Sequence, residues 1–166
     1  MTGALNELRR SVVELLREYG LSAVTAMESD SRRRWDCPVA AVSLSRVVCA
    51  PGGFRDYLGL RDNPDTGLQD ELYGRAVELT LSLDLYAPRN GGERACQQAL
   101  GVMAEALSCR GAGGLTVLEL QSGQVEFLER DGLYRLPVSC TCKGWLVAAV
   151  DSSGAFVDFE VKGRKV

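Results

Sequence analysis

The feature that most constrains the fold of this chain is a run of strict two-residue alternation from Val77 to Tyr86, in a strand pattern that begins at Arg75. One parity carries only aliphatic residues: Val77, Leu79, Leu81, Leu83 and Leu85. The other parity carries Glu78, Thr80, Ser82, Asp84 and Tyr86. Successive side chains of a strand point to opposite faces, so this pattern predicts an antiparallel strand with one buried face and one solvated face.

Two helices are predicted from apolar stripes at spacings of three and four residues. The first spans residues 4–19, and Gly20 follows it as a natural C-cap. The second spans residues 93–109 and comes directly after the alternating strand, with Asn90 or Gly92 as its expected N-cap. Small residues dominate the apolar face of this second helix, so it can lie close to a sheet.

Several further segments show strand patterns. We predict strands over residues 21–27, 38–49, 115–121, 125–129, 134–150 and 155–161. The strand over 134–150 is long enough to bend, and Gly144 is the expected position of that bend. Residues 54–74 show no clean period and contain several turn residues, so we expect a long irregular loop there, of the kind that is usually functional or mobile.

The order of these elements indicates the fold class. Strands and helices do not alternate as they do in a parallel sheet, so we predict an α+β fold in which a mostly antiparallel sheet has two helices packed on one face. A length of 166 residues favours a single domain. The sequence has no stretch long and apolar enough to predict a membrane span, and it has no signal-peptide pattern, so we expect a soluble protein that stays inside a cell.

Charge and residue content narrow the classes of function. The net charge of −3 gives no reason to expect specific nucleic-acid binding. The chain contains no histidine, which excludes Ser-His-Asp and Cys-His mechanisms and every zinc site that uses histidine. No motif in the sequence indicates a cofactor.

The cysteines offer the most conspicuous short motif. Cys140 and Cys142 are two residues apart in a predicted strand, so both thiols point to the same face. A structural zinc site needs four ligands, however, and Cys37 and Cys49 lie at opposite ends of another strand, about 40 Å apart if it is straight. We expect all six cysteines to be reduced, with no metal site.

Other motifs have simple structural interpretations. The run Asn90-Gly91-Gly92 precedes a helix but lacks the lysine and the glycine spacing of a phosphate-binding loop. Carboxylates are plentiful, so residue type alone leaves a glycosidase-like pair open, although solubility explains them better. These carboxylates are Asp62, Asp65, Asp70, Glu71, Glu78 and Asp84. A basic run at 32–34 favours a solvated surface or a partner contact.

The whole order of elements resembles the tail terminator (tail completion) proteins of long-tailed phages and related contractile particles. The resemblance is carried by VELTLSLDLYAP at 77–88 followed by GERACQQAL at 92–100, and later by SGQVEF at 122–127 and YRLPVSCTCKGW at 134–145. It is a likeness of pattern over nearly the full chain.

This resemblance implies a non-enzymatic structural protein that forms a homo-oligomeric ring, commonly a hexamer, on the head-proximal end of a tail tube. It also implies contacts with the tube and with neck proteins, in the bacterial cytoplasm during assembly and then in the virion tail. As a hypothesis, we assign the subunit or tube contacts to the 54–74 loop and the polar strand face, at Phe54, Tyr57, Asp70, Glu78, Thr80, Ser82 and Asp84.

Two other interpretations remain open. The chain has the pattern of other head-tail connector and neck proteins, and it is also compatible with a small-molecule or peptide-binding α+β module that does not assemble. An enzyme is a third class, and it would require an activity that depends on one carboxylate or cysteine.

Overall fold

Two helices and nine strands make up the described part of the chain, which the computed structural model covers at residues 3–25, 35–51, 56–150 and 156–163. For residues 149–150 and 156–160 only the backbone is described. In chain order the elements are α1 (Gly3–Glu18), β1 (Ser22–Val24), β2 (Val39–Pro51), β3 (Tyr57–Asp62), β4 (Gln69–Pro88), α2 (Gly92–Arg110), β5 (Thr116–Ser122), β6 (Glu126–Leu128), β7 (Leu133–Leu136), β8 (Val138–Val150) and β9 (Phe156–Lys162).

The strands form one sheet around β4, which is 20 residues long and is paired along both edges. One edge of β4 pairs with β2 and β3, and the other pairs with β8 and β7. Strand β8 pairs in turn with β5 and β9, and β7 pairs with β6. All of these pairs are antiparallel, while β1 pairs with β2 in parallel. The predicted α+β class with a mostly antiparallel sheet is confirmed.

The aliphatic parity of β4 forms the centre of the core. All five of its residues are at most 4% exposed, as their alternation predicts: Val77, Leu79, Leu81, Leu83 and Leu85. Helix α1 contributes Val12 and Leu16 to the same hydrophobic cluster, and α2 contributes Met103. The placement of both helices on a single face of the sheet stays a prediction, as does the single domain.

Both helices agree with the sequence prediction to within one residue at each end. Gly20 follows the end of α1, and its φ of 82° allows the Leu21 N–H to donate to the Leu16 carbonyl at 3.0 Å. The predicted N-cap of α2 is wrong, because Gly91 occupies that position and makes no side-chain cap. Neither helix in the described part of the chain is long and apolar enough to cross a membrane.

The prediction of an irregular loop over residues 54–74 is wrong for its described part, residues 56–74. Strand β3 and the first residues of β4 form an antiparallel hairpin there, joined by a turn at 63–68. In that turn the Asn63 side chain accepts a hydrogen bond from the Asp65 N–H at 3.0 Å, and Gly67 has a φ of 67°. A register shift between Tyr57 and Gly59 breaks the alternation of β3, which removes the periodic signal that a sequence prediction needs.

The long strand predicted over 134–150 does break, but not at Gly144. The interruption is at Pro137, between β7 and β8, because proline has no N–H to donate to the ladder. Gly144 lies inside β8, where a Cβ would come within 2.5 Å of the Lys162 carbonyl oxygen. Its role is therefore to allow close approach of the backbone of β9.

Candidate functional site

The polar parity of β4 belongs to a larger surface that crosses four strands. Three rows of directly paired residues run from β2 through β4 and β8 to β5, and we call these rows the polar face. Its rows are Ser43–Ser82–Ser139–Gln121, Arg46–Thr80–Thr141–Glu119 and Val48–Glu78–Lys143–Thr116. Serine, threonine and charged side chains fill ten of these twelve positions, and one glutamine and one valine in the outer rows fill the other two, so the surface is polar across its full width.

The predicted interface residues of β4 lie in or next to this polar face. Glu78 is exposed, and Thr80, Ser82 and Asp84 are half-buried. Tyr86, which the alternation assigned to the solvated side, is only 6% exposed because its ring packs edge to face against Trp35, with ring centroids 5.8 Å apart. The solvated part of β4 therefore ends before Tyr86.

Asp84 has the most defined partners of this group. Arg135 of β7 donates to its Oδ2 from Nη2 at 2.8 Å and from Nε at 3.2 Å, and the Ser82 hydroxyl donates to its Oδ1. The hydrogen bond to Asp84 raises the pKa of the Arg135 guanidinium, against the opposing effect of partial burial. Asp84 therefore ties β4 to β7, while Glu78 on the same face has no hydrogen bond or ion pair within the described residues.

The remaining predicted interface residues lie on or beside the β3–β4 hairpin. Asp70 is only 7% exposed, and its Oδ2 accepts a hydrogen bond from Asn63 at 3.0 Å and lies 4.0 Å from an Arg61 nitrogen. Tyr57 is exposed and packs edge to face against Tyr73. Phe54 lies outside the described residues, as does the basic run at 32–34.

The structure does not bring these two groups of predicted residues together. Asp70 and Glu78 are eight residues apart on β4, which is about 26 Å along an extended strand. Both residues belong to the same parity, so they lie on one face of the sheet but toward different ends. The sequence hypothesis therefore corresponds to two separate surfaces, the polar face and the hairpin.

The Cys140–Cys142 pair lies inside the core. Both side chains are fully buried, and their sulfur atoms are 3.5 Å apart. The contact between the two sulfur atoms raises the pKa of the Cys142 thiol, together with burial, and lowers the pKa of Cys140, so loss of both protons, which binding of a metal by both sulfur atoms requires, is disfavoured. Within the described ranges no three metal-ligating side chains cluster. Cys37, Cys49 and Cys109 are exposed and free.

A shallow pocket of about 380 Å³ adjoins the polar face. Its lining includes the apolar residues Val48, Ala50, Ala76 and Trp145 and the charged residues Glu78 and Lys143. The sequence did not predict this pocket, because its residues come from strands whose register cannot be derived from periodicity alone.

The long edges of the sheet form a third surface that the sequence prediction missed. Exposed apolar side chains occur on β2 and β3 at one edge, and on β5 and β6 at the other. These side chains are Val47, Val48, Tyr57, Leu60, Leu118 and Phe127. In the sequence, residues 38–49 carry apolar residues on both parities, and this pattern does not show that one edge of the strand is open.

A scan against protein-family models and a search of curated proteins both found no match for this chain.

Proposed function

We propose that this chain is a structural protein of a phage or prophage tail, which assembles as a homo-oligomeric ring on the end of a tail tube and contacts neck proteins. The observation that supports this function best is the concentration of exposed apolar side chains on the strands at both long edges of the sheet. The resemblance of the element order to tail terminator proteins supplies the specific role, first in the bacterial cytoplasm and then in the virion tail.

Open sheet edges favour assembly for a physical reason. An edge strand presents a row of unpaired N–H and C=O groups, and apolar side chains beside that row add a hydrophobic gain when another strand covers them. The two edges of this sheet differ in sequence, so contact between them is heterologous. A heterologous contact that is repeated around an axis closes into a ring.

The polar face and the hairpin are the surfaces that we assign to tube and neck contacts. In the polar face the charges of Arg46 and Lys143 balance those of Glu78 and Glu119. This balance allows a partner to be recognised through complementary charges without a large net field. Tyr57 on the hairpin adds an exposed aromatic anchor of the kind that is enriched in interfaces.

The test is the assembly state of the purified chain. Light scattering coupled to size exclusion should give a mass several times that of one chain, and negative-stain micrographs should show rings of one size. Added to polymerising tail tubes, the rings should bind tube ends and shorten the length distribution. A chain that stays monomeric at high concentration and leaves tube length unchanged would exclude this function.

A binding module that does not assemble is the second candidate, favoured by the pocket beside Trp145. Its volume falls near the lower end of the range for ligand sites, and a lining of apolar and charged residues suits a short peptide or a small amphiphile. A W35F variant keeps Trp145 as its one tryptophan, so its fluorescence reports on the pocket. A saturable change on titration with short apolar peptides, from a stable monomer, would favour this candidate over the ring.

A further inference from the structure

We propose that neighbouring copies of this chain join by adding β5 of one copy to the outer edge of β2 of the next, so that the sheet continues from subunit to subunit. This inference deepens the proposed function and rests on it, because it names the contact that closes the ring. The polar face would then run around one surface of the ring without a break.

Both strands have a free edge in the described part of the molecule. Strand β2 pairs with β1 only at residues 39–41, so residues 42–51 have no strand beside them on that side. Strand β5 pairs only with β8. The directions also fit, because three successive antiparallel pairs (β2 with β4, β4 with β8, β8 with β5) make β5 antiparallel to β2. A new β5–β2 pair therefore repeats the pairing found within the sheet.

The charges at the two edges are complementary and lie in one row. Arg46 pairs with Thr80, Thr80 with Thr141, and Thr141 with Glu119, so Arg46 and Glu119 are the two ends of the central row of the polar face. Neither residue has an ion-pair partner among the described side chains. When a second copy continues the sheet in the same row, the Glu119 of one copy lies beside the Arg46 of the next copy.

The side chains next to this charge pair are apolar and exposed on both strands. Val47 and Val48 are 40% and 38% exposed on β2, and Leu118 is 48% exposed on β5. An edge with these properties is a template for pairing with another chain.

Each of the two strands contains one bulge, and in the proposed β5–β2 pair the extra residue of one strand compensates for the extra residue of the other. Strand β2 has one extra residue between Leu44 and Arg46, and β5 has one between Val117 and Glu119. With Arg46 opposite Glu119, Leu44 lies near Leu120 and Val47 near Val117, so apolar residues meet on the core side of the sheet. The register of the new pair is thus set by charge and by burial at once.

Cysteine cross-linking tests the contact directly. Within one chain, Arg46 and Glu119 are separated by three strand spacings, about 14 Å, whereas a disulfide requires Cα atoms within about 7 Å. The double variant R46C/E119C, made in a C37S/C49S/C109S background, can therefore form this bond only between chains. Mild oxidation should give a ladder of covalent multimers that ends at the ring size.

The single variants R46C and E119C are the controls and should give no ladder. An oligomer that forms normally but yields no ladder from the double variant would overturn this contact and leave the ring function intact. Covalent dimers alone would indicate two-fold pairing of like edges and would also overturn it. A monomeric parent protein would overturn both proposals.

Charge reversal gives a second, independent test that preserves folding. We expect R46E or E119R to weaken assembly at least about tenfold, since each variant places like charges side by side. The double variant R46E/E119R should restore assembly. The matched controls R94E and E105R reverse exposed charges on α2 and should leave assembly unchanged. Equal effects of the edge and helix variants would overturn the proposal.

Discussion

At the scale of single residues, the partners of Asp84 distinguish it from the other polar residues of β4. Its half-buried carboxylate accepts two hydrogen bonds from Arg135 and one from Ser82. We expect D84N to lower the free energy of unfolding by about 1 kcal/mol, because charge-assisted hydrogen bonds at partly exposed sites contribute that much. Urea denaturation measures the change.

The matched control for Asp84 is Glu78, which lies on the same face of the same strand and is exposed. Removing its charge in E78Q should change stability by no more than about 0.5 kcal/mol. Equal effects of D84N and E78Q would show that the Arg135 contact contributes little to folding. A neutral E78Q with reduced assembly would indicate instead that Glu78 acts in the interface.

A buried thiol predicts how stability depends on pH. Burial raises the pKa of Cys96, whereas the contact between Cys140 and Cys142 shifts the pKa values of those two thiols in opposite directions, so Cys96 carries the prediction. Above about pH 8.5 an unfolded chain loses the Cys96 proton while the native state keeps it to a higher pH, so the free energy of unfolding falls as pH rises, by at most about 1.4 kcal/mol per pH unit. Below that pH the contribution of Cys96 is fully present.

Chemical denaturation between about pH 8 and about pH 10 should show this slope in the parent protein. The variant C96A should be less stable at neutral pH but should have a flatter pH dependence. The variant C49S/C109S removes exposed thiols and should keep the parent slope. If C96A also kept the parent slope, other groups would be responsible for it.

At the scale of elements, two glycines with different surroundings predict opposite effects of the same substitution. A Cβ on Gly144 of β8 would overlap a Leu115 methyl carbon and would come within 2.5 Å of the Lys162 carbonyl oxygen. We expect G144A to lower stability by about 1–3 kcal/mol through overpacking. A Cβ on Gly101 of α2 has no neighbour within 4 Å, so G101A should raise stability by about 0.5–1 kcal/mol.

Thermal and urea unfolding of both variants provide the measurement. Because Gly144 lies against the Lys162 carbonyl of β9, loss of amide protection in β9 should accompany the destabilisation by G144A. A neutral G144A would contradict the close packing of these two strands. A destabilising G101A would show that the exposed side of α2 is occupied in solution.

The elements also show how much of the fold the sequence could predict. The helices and the stretch of β4 from Val77 to Leu85 follow from local periodicity, because each has one buried face throughout. The hairpin was missed because Asp70 and Leu72 are buried on the opposite parity from Leu79, so β4 changes its buried face near Gly74. The turn residues Asn63 and Gly67 were a usable signal for that hairpin.

The candidate surfaces were less predictable than the elements. Periodicity identified the polar parity of β4 correctly as far as Asp84, but it could not show which residues of other strands complete each row. The Arg46–Glu119 row depends on register across four strands, and register is set by packing and by bulges that have no short-range sequence signature. For the same reason the sequence could not predict the pocket beside Trp145.

At the scale of the whole molecule, the described side chains form two hydrophobic clusters that use opposite parities of β4. The large cluster includes Leu79, Leu81, Leu83 and Leu85 together with residues of α1 and α2, and a small one contains Leu72, Val147, Leu58 and Trp145. Strands β4 and β8 pass through both clusters, so any disruption of one cluster reaches the other along a continuous ladder of paired residues. This connection favours a single cooperative unit.

The two tryptophans allow that cooperativity to be tested, since each reports on a different part of the molecule. Trp35 packs against Tyr86 at one end of β4, and Trp145 packs against the small cluster. The variants W35F and W145F each keep one tryptophan, and both are unfolded in urea. In each variant we expect the fluorescence transition to coincide with the loss of secondary structure that circular dichroism measures, because a two-state domain unfolds in one step. A Trp145 transition that precedes the loss of helix would instead show that the hairpin end of the sheet unfolds separately, and the chain would then comprise more than one folding unit.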